Sequence, residues 1–139
     1  MSFAASTPAD TSGLHEEGLA MRKTVLGDAY VDKALGSVSE FGLPMQQLVT
    51  EYCWGGPWTR PGLDRKTRSL LNLVMLTALN RGTEFATHVR GARTNGATDV
   101  EIQEALLQAA IYVGVPAGIE AFRTAERVLK ELDAEEADA

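Results

Sequence analysis

The sequence predicts an all-α fold of five to seven helices. Apolar residues recur at helical spacing along most of the chain, and no segment alternates polar and apolar residues as a half-buried strand would. Residues typical of helix starts and glycines typical of helix ends separate these segments. The length of 139 residues suits one domain, which we expect over residues 13–132.

The first half of the chain is expected to hold three helices. One runs from about residue 13 to Gly27, and a short one follows over residues 28–36. Pro44 lies near the start of the third, which should end at the Gly-Gly-Pro sequence of residues 55–57. We therefore place the boundaries of the first three helices at these glycines and prolines.

The fourth predicted helix should be the centre of the fold. Asp64 is its expected N-cap residue, and Gly82 is its expected end. Residues 70–79 are apolar on nearly every face, so we expect this helix to be covered on several sides. The fifth helix should begin near Thr83 and end at residues 95–96, an Asn-Gly sequence.

The last two helices have more apolar surface than one small domain needs. Thr98 and Glu101 form a capping box that opens the sixth helix, and Gly114 and Pro116 should end it. Two apolar stripes on that helix imply two packing partners, which predicts a homo-oligomer. The apolar positions are Ile102, Ala105, Leu106, Ala109, Ala110 and Val113 in the first stripe, Leu107 and Ile111 in the second, and Ile119, Phe122, Ala125, Leu129 and Leu132 in the last helix.

Charge and cysteine content limit the possible partners and the compartment. A net charge of −6 and a pI of about 4.9 argue against nucleic acid or an anionic membrane as the partner. The single cysteine, Cys53, cannot form an internal disulfide, which fits a reducing compartment. The start lacks the features of a signal peptide, and no apolar run reaches the ~18 residues of a membrane span. We therefore expect a cytoplasmic protein, with residues 1–12 disordered and residues 133–139 as a solvated acidic tail.

The fifth helix carries the main candidate site, which consists of Arg81, Glu84 and His88. Residues four apart lie on one helix face with Cβ atoms ~5–6 Å apart, so Glu84 and His88 should touch. A carboxylate beside an imidazole raises the pKa of the imidazole and fixes its tautomer, which suits a proton donor near neutral pH. The alternative is a helical ion pair worth ~0.3–0.5 kcal/mol with no chemistry attached, and the spacing alone favours that alternative.

Other chemistry-bearing residues have more ordinary explanations. A metal site would need a third ligand, and the only other histidine is His15 in a terminal segment, so we expect no metal. Cys53, in an apolar neighbourhood, is expected to be a small buried hydrophobe. Trp54, beside the Gly-Gly-Pro turn, has the surroundings of a core or interface anchor. Arg68 and Arg123 are candidate anion ligands, although surface ion pairs are the default for such residues.

Four stretches of the chain carry a family resemblance: MRKTVLGDAYVD, YCWGGPWTRPGLDRKTRSLLNL, FATHVRGARTNG and IQEALLQAAIYVGVPAGIEAFRTAERVL. Together they resemble the carboxymuconolactone decarboxylase and alkyl hydroperoxidase D-like family, over about residues 13–132. The redox members of that family carry Cys-x-x-Cys-x-x-x-His on the fifth helix. Here Arg81 and Glu84 stand at the two cysteine positions and His88 at the histidine position. The glutamate that precedes this motif in the redox members falls at Ser69.

The resemblance implies a decarboxylase that needs no cofactor. The implied reaction is loss of CO₂ from 4-carboxymuconolactone, a lactone with two carboxylates, to give 3-oxoadipate enol-lactone in the β-ketoadipate pathway of protocatechuate catabolism. The electrons left behind flow through the ring double bond into the lactone carbonyl, so the substrate is its own electron sink. His88, oriented by Glu84, is then the expected proton donor, and Arg81, Arg68 and Trp54 are expected to bind the substrate. The resemblance also implies a homohexamer, a trimer of dimers.

Other functions stay open on the sequence. An enzyme of the same fold that acts on a different lactone or β-keto acid would use the same acid–base pair. A thiol peroxidase or disulfide reductase lacks its nucleophile here, since both thiols are absent, which leaves a thiol-independent relative of alkyl hydroperoxidase D. In a non-enzymatic assembly protein, Glu84 and His88 would be an ion pair at a subunit contact. Within the decarboxylase, Glu84 is the second candidate for the acid, with His88 as its support.

Overall fold

The computed structural model describes residues 13–139 and shows an all-α fold. Within this range there are seven α-helices, one π-helix and one 3₁₀ helix, and no strand. The predicted all-α fold of five to seven helices is therefore confirmed. Residues 1–12, which we expected to be disordered, lie outside the described residues. In chain order the elements are α1 (Leu14–Leu26), α2 (Asp28–Gly36), α3 (Leu43–Leu48), the π-helix (Val49–Trp54), the 3₁₀ helix (Pro57–Thr59), α4 (Arg65–Ala78), α5 (Gly82–Thr94), α6 (Asp99–Val113) and α7 (Val115–Ala137).

The chain divides into two compact units, the first ending at Arg60 and the second beginning at Pro61. Helices α1 to α3, the π-helix and the 3₁₀ helix belong to the first unit, and α4 to α7 belong to the second. Each unit has its own apolar core. The single domain expected over residues 13–132 remains a prediction.

The first unit is built on close packing of α1 against the π-helix. Gly18 of α1 lies so near the π-helix that an added Cβ would overlap the carbonyl oxygen of Thr50. The rings of Trp54 and Trp58 stack with their centroids 4.9 Å apart and form a core with Val25. The first unit therefore depends on one very small residue in α1 and on two large aromatic residues that follow it in the chain.

The third predicted helix changes its geometry partway along. The chain is α-helical over α3, with Pro44 in the first turn, and then π-helical over the next six residues. The backbone N–H of Gly55 donates to the carbonyl oxygen of Thr50, five residues earlier, at 3.0 Å. The predicted end at residues 55–57 is confirmed, whereas the change to π-helical geometry is absent from the prediction.

The second unit packs α4 to α7 around one core, and its helix caps are those that the sequence predicts. Asp64 accepts a hydrogen bond from the backbone N–H of Thr67 at 2.7 Å, as an N-cap residue does. The capping box between Thr98 and Glu101 is complete, and Gly114, with a φ of 135°, ends α6. The most deeply buried core residues are Leu73, Val89, Ala92, Ile102, Leu106 and Val128.

Two predicted boundaries in the second unit are wrong. Gly82 does not end the fourth helix: α4 ends at Ala78, and Gly82 is the first residue of α5. Asn80 turns the chain between them in the left-handed region, with a φ of 56°, which asparagine tolerates better than most residues. Pro116 lies in the first turn of α7, where its missing N–H leaves no hydrogen bond unmade, so Gly114 alone ends α6.

Apolar faces of α4 and α6 lie open in the single chain. We expected α4 to be covered on several sides, and this is wrong for one chain, because Leu71, Met75 and Leu79 are 46–65% exposed. On α6, Ile102, Leu106 and Ala109 of the first predicted stripe are buried, while Val113 at its end and Leu107 and Ile111 of the second stripe are exposed. One chain therefore covers only one of the two predicted packing faces. None of the helices within residues 13–139 is long and apolar enough to cross a membrane.

The acidic C-terminal segment, expected as a solvated tail, is exposed but mostly helical. Helix α7 continues to Ala137. Its carboxylates bind two arginines of α5: Arg90 forms an ion pair with Glu135, and Arg93 one with Asp133, each with an N–O distance of 3.0 Å. Each exposed pair contributes little alone, but together these ion pairs join the second half of α5 to the end of α7.

Candidate active site

Helix α5 places Glu84 and His88 one turn apart within the second unit. The buried side of this helix is formed by Phe85, Val89 and Ala92. Glu84 is exposed, and His88 is partly buried. Residues four apart share a helix face, so Glu84 and His88 lie on one side of α5. Since one is exposed and the other partly buried, this side is at the border between the core and the solvent.

Asn72 of α4 is a partner of His88. Its side-chain Nδ2 lies 3.5 Å from Nδ1 of the imidazole. When the amide donates, Nδ1 accepts, and the ring hydrogen of the neutral imidazole is on Nε2. Asn72 therefore favours one tautomer of His88, the one whose Nε2–H is the donor.

Burial makes the imidazole of His88 a weak base. The pKa of His88 is lowered to about 4, mainly because burial disfavours the charged imidazolium; the negative charge of Glu84 raises the pKa by less. We expected a net rise in the pKa of His88, and this expectation is wrong. Near pH 7 the imidazole is therefore neutral and acts as a hydrogen-bond donor, not as a resident imidazolium acid.

The two arginines predicted to bind substrate have different surroundings. Arg68 is partly buried one turn before Asn72 on α4, so the two lie on the same side of that helix. Arg81 is exposed and precedes α5, since its φ of −107° and ψ of 74° are not helical. Arg81 lines a cavity of about 20 Å³ together with Asn80 and Glu120, which is room for a water molecule and not for a dicarboxylate. Arg68 therefore lies beside a partner of the imidazole, and Arg81 marks the N-terminal end of α5.

Trp54 belongs to the core of the first unit. Its side chain is 3% exposed and stacks on Trp58. This is the core role that tryptophans most often have. The assignment of Trp54 to substrate binding remains a prediction.

Three further residues, Ser69, Cys53 and His15, were considered in the sequence, and the structure shows the surroundings of each. Ser69, at the position of the glutamate in redox members, is fully buried, and its hydroxyl accepts a hydrogen bond from Asn95 at 2.9 Å. Cys53 is exposed, so its expected burial is wrong. His15 is exposed and lies 3.5 Å from a carboxylate oxygen of Glu51. Within residues 13–139, no three His, Cys, Asp or Glu side chains form a group that could hold a metal ion.

A larger cavity of about 910 Å³ lies between α6 and α7. Its walls are mostly apolar, with Leu106, Ile111, Ile119 and Phe122 among them, and His88 does not line it. Two cations, Arg123 and Lys130, also line it, and both are exposed, but the groove contains none of Arg68, Arg81, Glu84 and His88. The candidate active site is therefore the region around His88 and not this groove.

Sequence reasoning missed Asn72. Its signal was an uncharged polar residue inside the apolar run of residues 70–79. A polar side chain in such a run needs a hydrogen-bond partner when it is buried. The contact with His88 provides one.

Comparison with known proteins identifies the family. A model of the carboxymuconolactone decarboxylase family matches residues 44–127. The chain is 45% identical over 119 residues to a nitrosuccinic acid decarboxylase of Metarhizium robertsii, covering 86% of this chain and 83% of that protein. It is 38% identical over 118 residues to a 4-carboxymuconolactone decarboxylase of Acinetobacter baylyi, covering 85% of this chain and 88% of that protein. The chain belongs to the carboxymuconolactone decarboxylase family.

Proposed function

We propose that this protein removes CO₂ from 4-carboxymuconolactone or a related small dicarboxylate, and that it needs no cofactor to do so. The chain is a carboxy-lyase, since its family and both relatives are decarboxylases. The observation that supports the chemistry is the neutral, partly buried imidazole of His88, held by Asn72 and one turn from Glu84.

Two substrates are consistent with these groups. The first candidate is 4-carboxymuconolactone, which would give 3-oxoadipate enol-lactone in the β-ketoadipate pathway. The second is nitrosuccinic acid, favoured by the 45% identity with the enzyme named for it. In the lactone, the electron pair left by CO₂ moves into the ring carbonyl; in nitrosuccinic acid, the nitro group accepts it. Each substrate thus develops an oxyanion and keeps a second carboxylate.

We assign His88 to the oxyanion. As the carbon–carbon bond to CO₂ breaks, negative charge grows on an oxygen of the lactone or the nitro group. A neutral imidazole whose Nε2–H points at that oxygen stabilises the charge, and the hydrogen bond strengthens as the charge develops. The side-chain amide of Asn72 donates a hydrogen bond to Nδ1 of His88, so the ring hydrogen stays on Nε2.

The proton that replaces CO₂ is then assigned to Glu84. The low pKa of His88 leaves almost no imidazolium near pH 7, which weakens the original assignment of the proton to His88. Glu84 is exposed, so water can reach its carboxyl group. Glu84 donates a proton to the carbon that lost CO₂: the electron pair returns from the oxyanion to this carbon, the C–H bond forms as the O–H bond of Glu84 breaks, and water reprotonates the resulting carboxylate.

The remaining carboxylate of the substrate needs a cation. We assign this role to Arg68, one turn from Asn72, and a second electrostatic contribution to Arg81. Packing of Trp54 against the substrate stays a prediction from the family resemblance.

We also propose that the enzyme is a homo-oligomer. The exposed apolar faces of α4 and α6 support this proposal, because large open apolar patches mark interaction surfaces. The hexamer and the cytoplasmic location are finer predictions that rest on the sequence.

The test is a single-turnover assay of both substrates, followed by absorbance, with and without a chelator. We expect turnover with chelator present. His88→Ala should lower the rate by about 100-fold or more, the effect of losing one oxyanion donor, and Glu84→Gln should slow proton delivery. Glu104→Gln on α6 makes the same change at another exposed glutamate and should leave the rate unchanged. Decarboxylation by His88→Ala at the parent rate would contradict the proposal.

A further inference from the structure

Arg22 of α1 is a buried cation whose side-chain partners within residues 13–139 are both neutral. Its side chain is only 7% exposed. Nη1 donates to Oε1 of Gln46 at 3.0 Å and to Oγ1 of Thr50 at 3.3 Å. No carboxylate of the described chain forms an ion pair with it, which is unusual for so deeply buried a guanidinium.

Burial of this charge is costly. A charge removed from water costs several kcal/mol unless an opposite charge and further hydrogen bonds compensate. The same effect lowers the pKa of Arg22 from its ordinary value, with desolvation as the largest cause. Two neutral acceptors offset part of this cost, and no carboxylate within residues 13–139 balances the positive charge.

Within residues 13–139, the Nε edge of the guanidinium makes no side-chain hydrogen bond. Nε is buried and makes no hydrogen bond, and both side-chain hydrogen bonds of Arg22 within the described chain come from Nη1. The Nε and Nη2 atoms form the edge with which arginine binds a carboxylate through two parallel hydrogen bonds. The unsatisfied edge therefore has the geometry of a carboxylate receptor.

The π-helix beside Arg22 is a second, independent indication of a binding site. Thr50 lies in the π-helix, a geometry that is rare and often found at functional sites. Cys53 follows three residues later in the same π-helix, and its charge interacts with that of Arg22. Tyr30 is the other group whose charge affects the pKa of Arg22.

We propose that Arg22 is the anchor of a carboxylate-binding site in the first unit, with Gln46 and Thr50 holding the guanidinium so that its Nε–Nη2 edge binds the carboxylate of a small organic acid. Arg22, Gln46 and Thr50 are not among the residues assigned to decarboxylation. The proposal stands or falls independently of the proposed function.

Cys53 reports on this site without any enzyme assay. The positive charge of Arg22 lowers the pKa of the Cys53 thiol, although burial of the sulfur raises it by more. A carboxylate bound to Arg22 cancels part of that positive charge, so the pKa of Cys53 rises and less thiolate is present. Because Cys53 is the single cysteine of the chain and is exposed, its alkylation by neutral iodoacetamide measures the thiolate directly.

The experiment measures the alkylation rate of the full chain at pH 7 with increasing succinate. We expect the rate to fall by about threefold or more and to saturate, the change that cancelling one nearby charge gives. Succinamide, the uncharged analogue, should have no effect, and sodium chloride at equal ionic strength should have a smaller, non-saturating one. An unchanged rate in succinate, or equal slowing by chloride, would overturn the proposal.

Three variants locate the effect. Arg22→Gln should react more slowly than the parent and lose the response to succinate, whereas Lys23→Gln, which removes the neighbouring cation, should keep it.

Asp10 is the one acidic residue among residues 1–12. If only Asp10→Asn responds to succinate, Arg22 is neutralised by its own chain and the proposal is wrong. Should Arg22→Gln fail to fold, as circular dichroism would show, the succinate and succinamide curves of the parent still decide the question.

Discussion

His88 is subject to two opposing effects: burial lowers the pKa of its imidazole, and the charge of Glu84 raises it. At the scale of single residues, burial is the larger effect, because an exposed carboxylate is screened by water while desolvation acts on the whole ring. The spacing of four residues was enough to predict that Glu84 and His88 share a helix face. It could not predict the net pKa shift, which depends on how much of the ring other helices cover.

The lowered pKa of His88 predicts a dependence of stability on pH. The unfolded imidazole titrates at its ordinary value of 6.5 and the folded one at about 4, so the unfolded state binds more protons between these values. Stability should therefore fall as the pH drops through that window, by about 2 kcal/mol between pH 7 and pH 5. Urea unfolding at both pH values measures this.

Two variants make this test specific. His88→Gln should lose most of the pH dependence, whereas His15→Gln, which changes an exposed histidine, should retain it. Equal losses of stability on acidification in the parent and in His88→Gln would show that other groups are responsible.

At the scale of secondary-structure elements, local signals were predictable and tertiary ones were not. The caps at Asp64 and Thr98 depend on residues within one turn, and both are present as predicted. Gly82 was misassigned because a glycine can end one helix or begin the next, and Asn80 had already turned the chain. Asn72 was missed because its partner lies on another helix.

The packing of α6 against α7 predicts a strong effect at Gly118. An added Cβ would overlap the side chain of Ala110, so Gly118→Ala should force the two helices apart. We expect a loss of about 1–3 kcal/mol in the free energy of unfolding. Gly36→Ala is the matched control, since nothing lies within 4 Å of its Cβ position and alanine suits a helix better than glycine. Equal stabilities of the two variants would disprove tight packing at Gly118.

At the scale of the whole molecule, the main feature is the open apolar surface on α4 and α6. The sequence predicted surplus apolar surface from the two stripes of α6, and the second stripe is indeed exposed. It did not predict that α4 would be open as well, because an apolar helix can be covered by its own chain or by another one. Ile111 is the more exposed residue of the second stripe, with 78% of its surface open.

Ile111→Lys is therefore expected to weaken the proposed self-association. A charge placed on an apolar contact must be desolvated when a second chain covers it. We expect the parent to sediment as an oligomer at micromolar concentration and Ile111→Lys as a smaller species, with both folded by circular dichroism. Gln108→Lys adds the same charge at an exposed polar position of α6 and should sediment like the parent. A monomeric parent would contradict the proposed assembly.

The ion pairs between α5 and the end of α7 have a practical consequence. Arg90 follows His88 by two residues on α5, and its carboxylate partners Glu131 and Glu135 belong to the last turns of the chain. Strong electrolyte screens these attractions, and trimming the acidic end removes them outright. We therefore expect buffers of high ionic strength and shortened C-termini to loosen the segment of α5 that carries the imidazole, even though neither change touches His88 or Glu84.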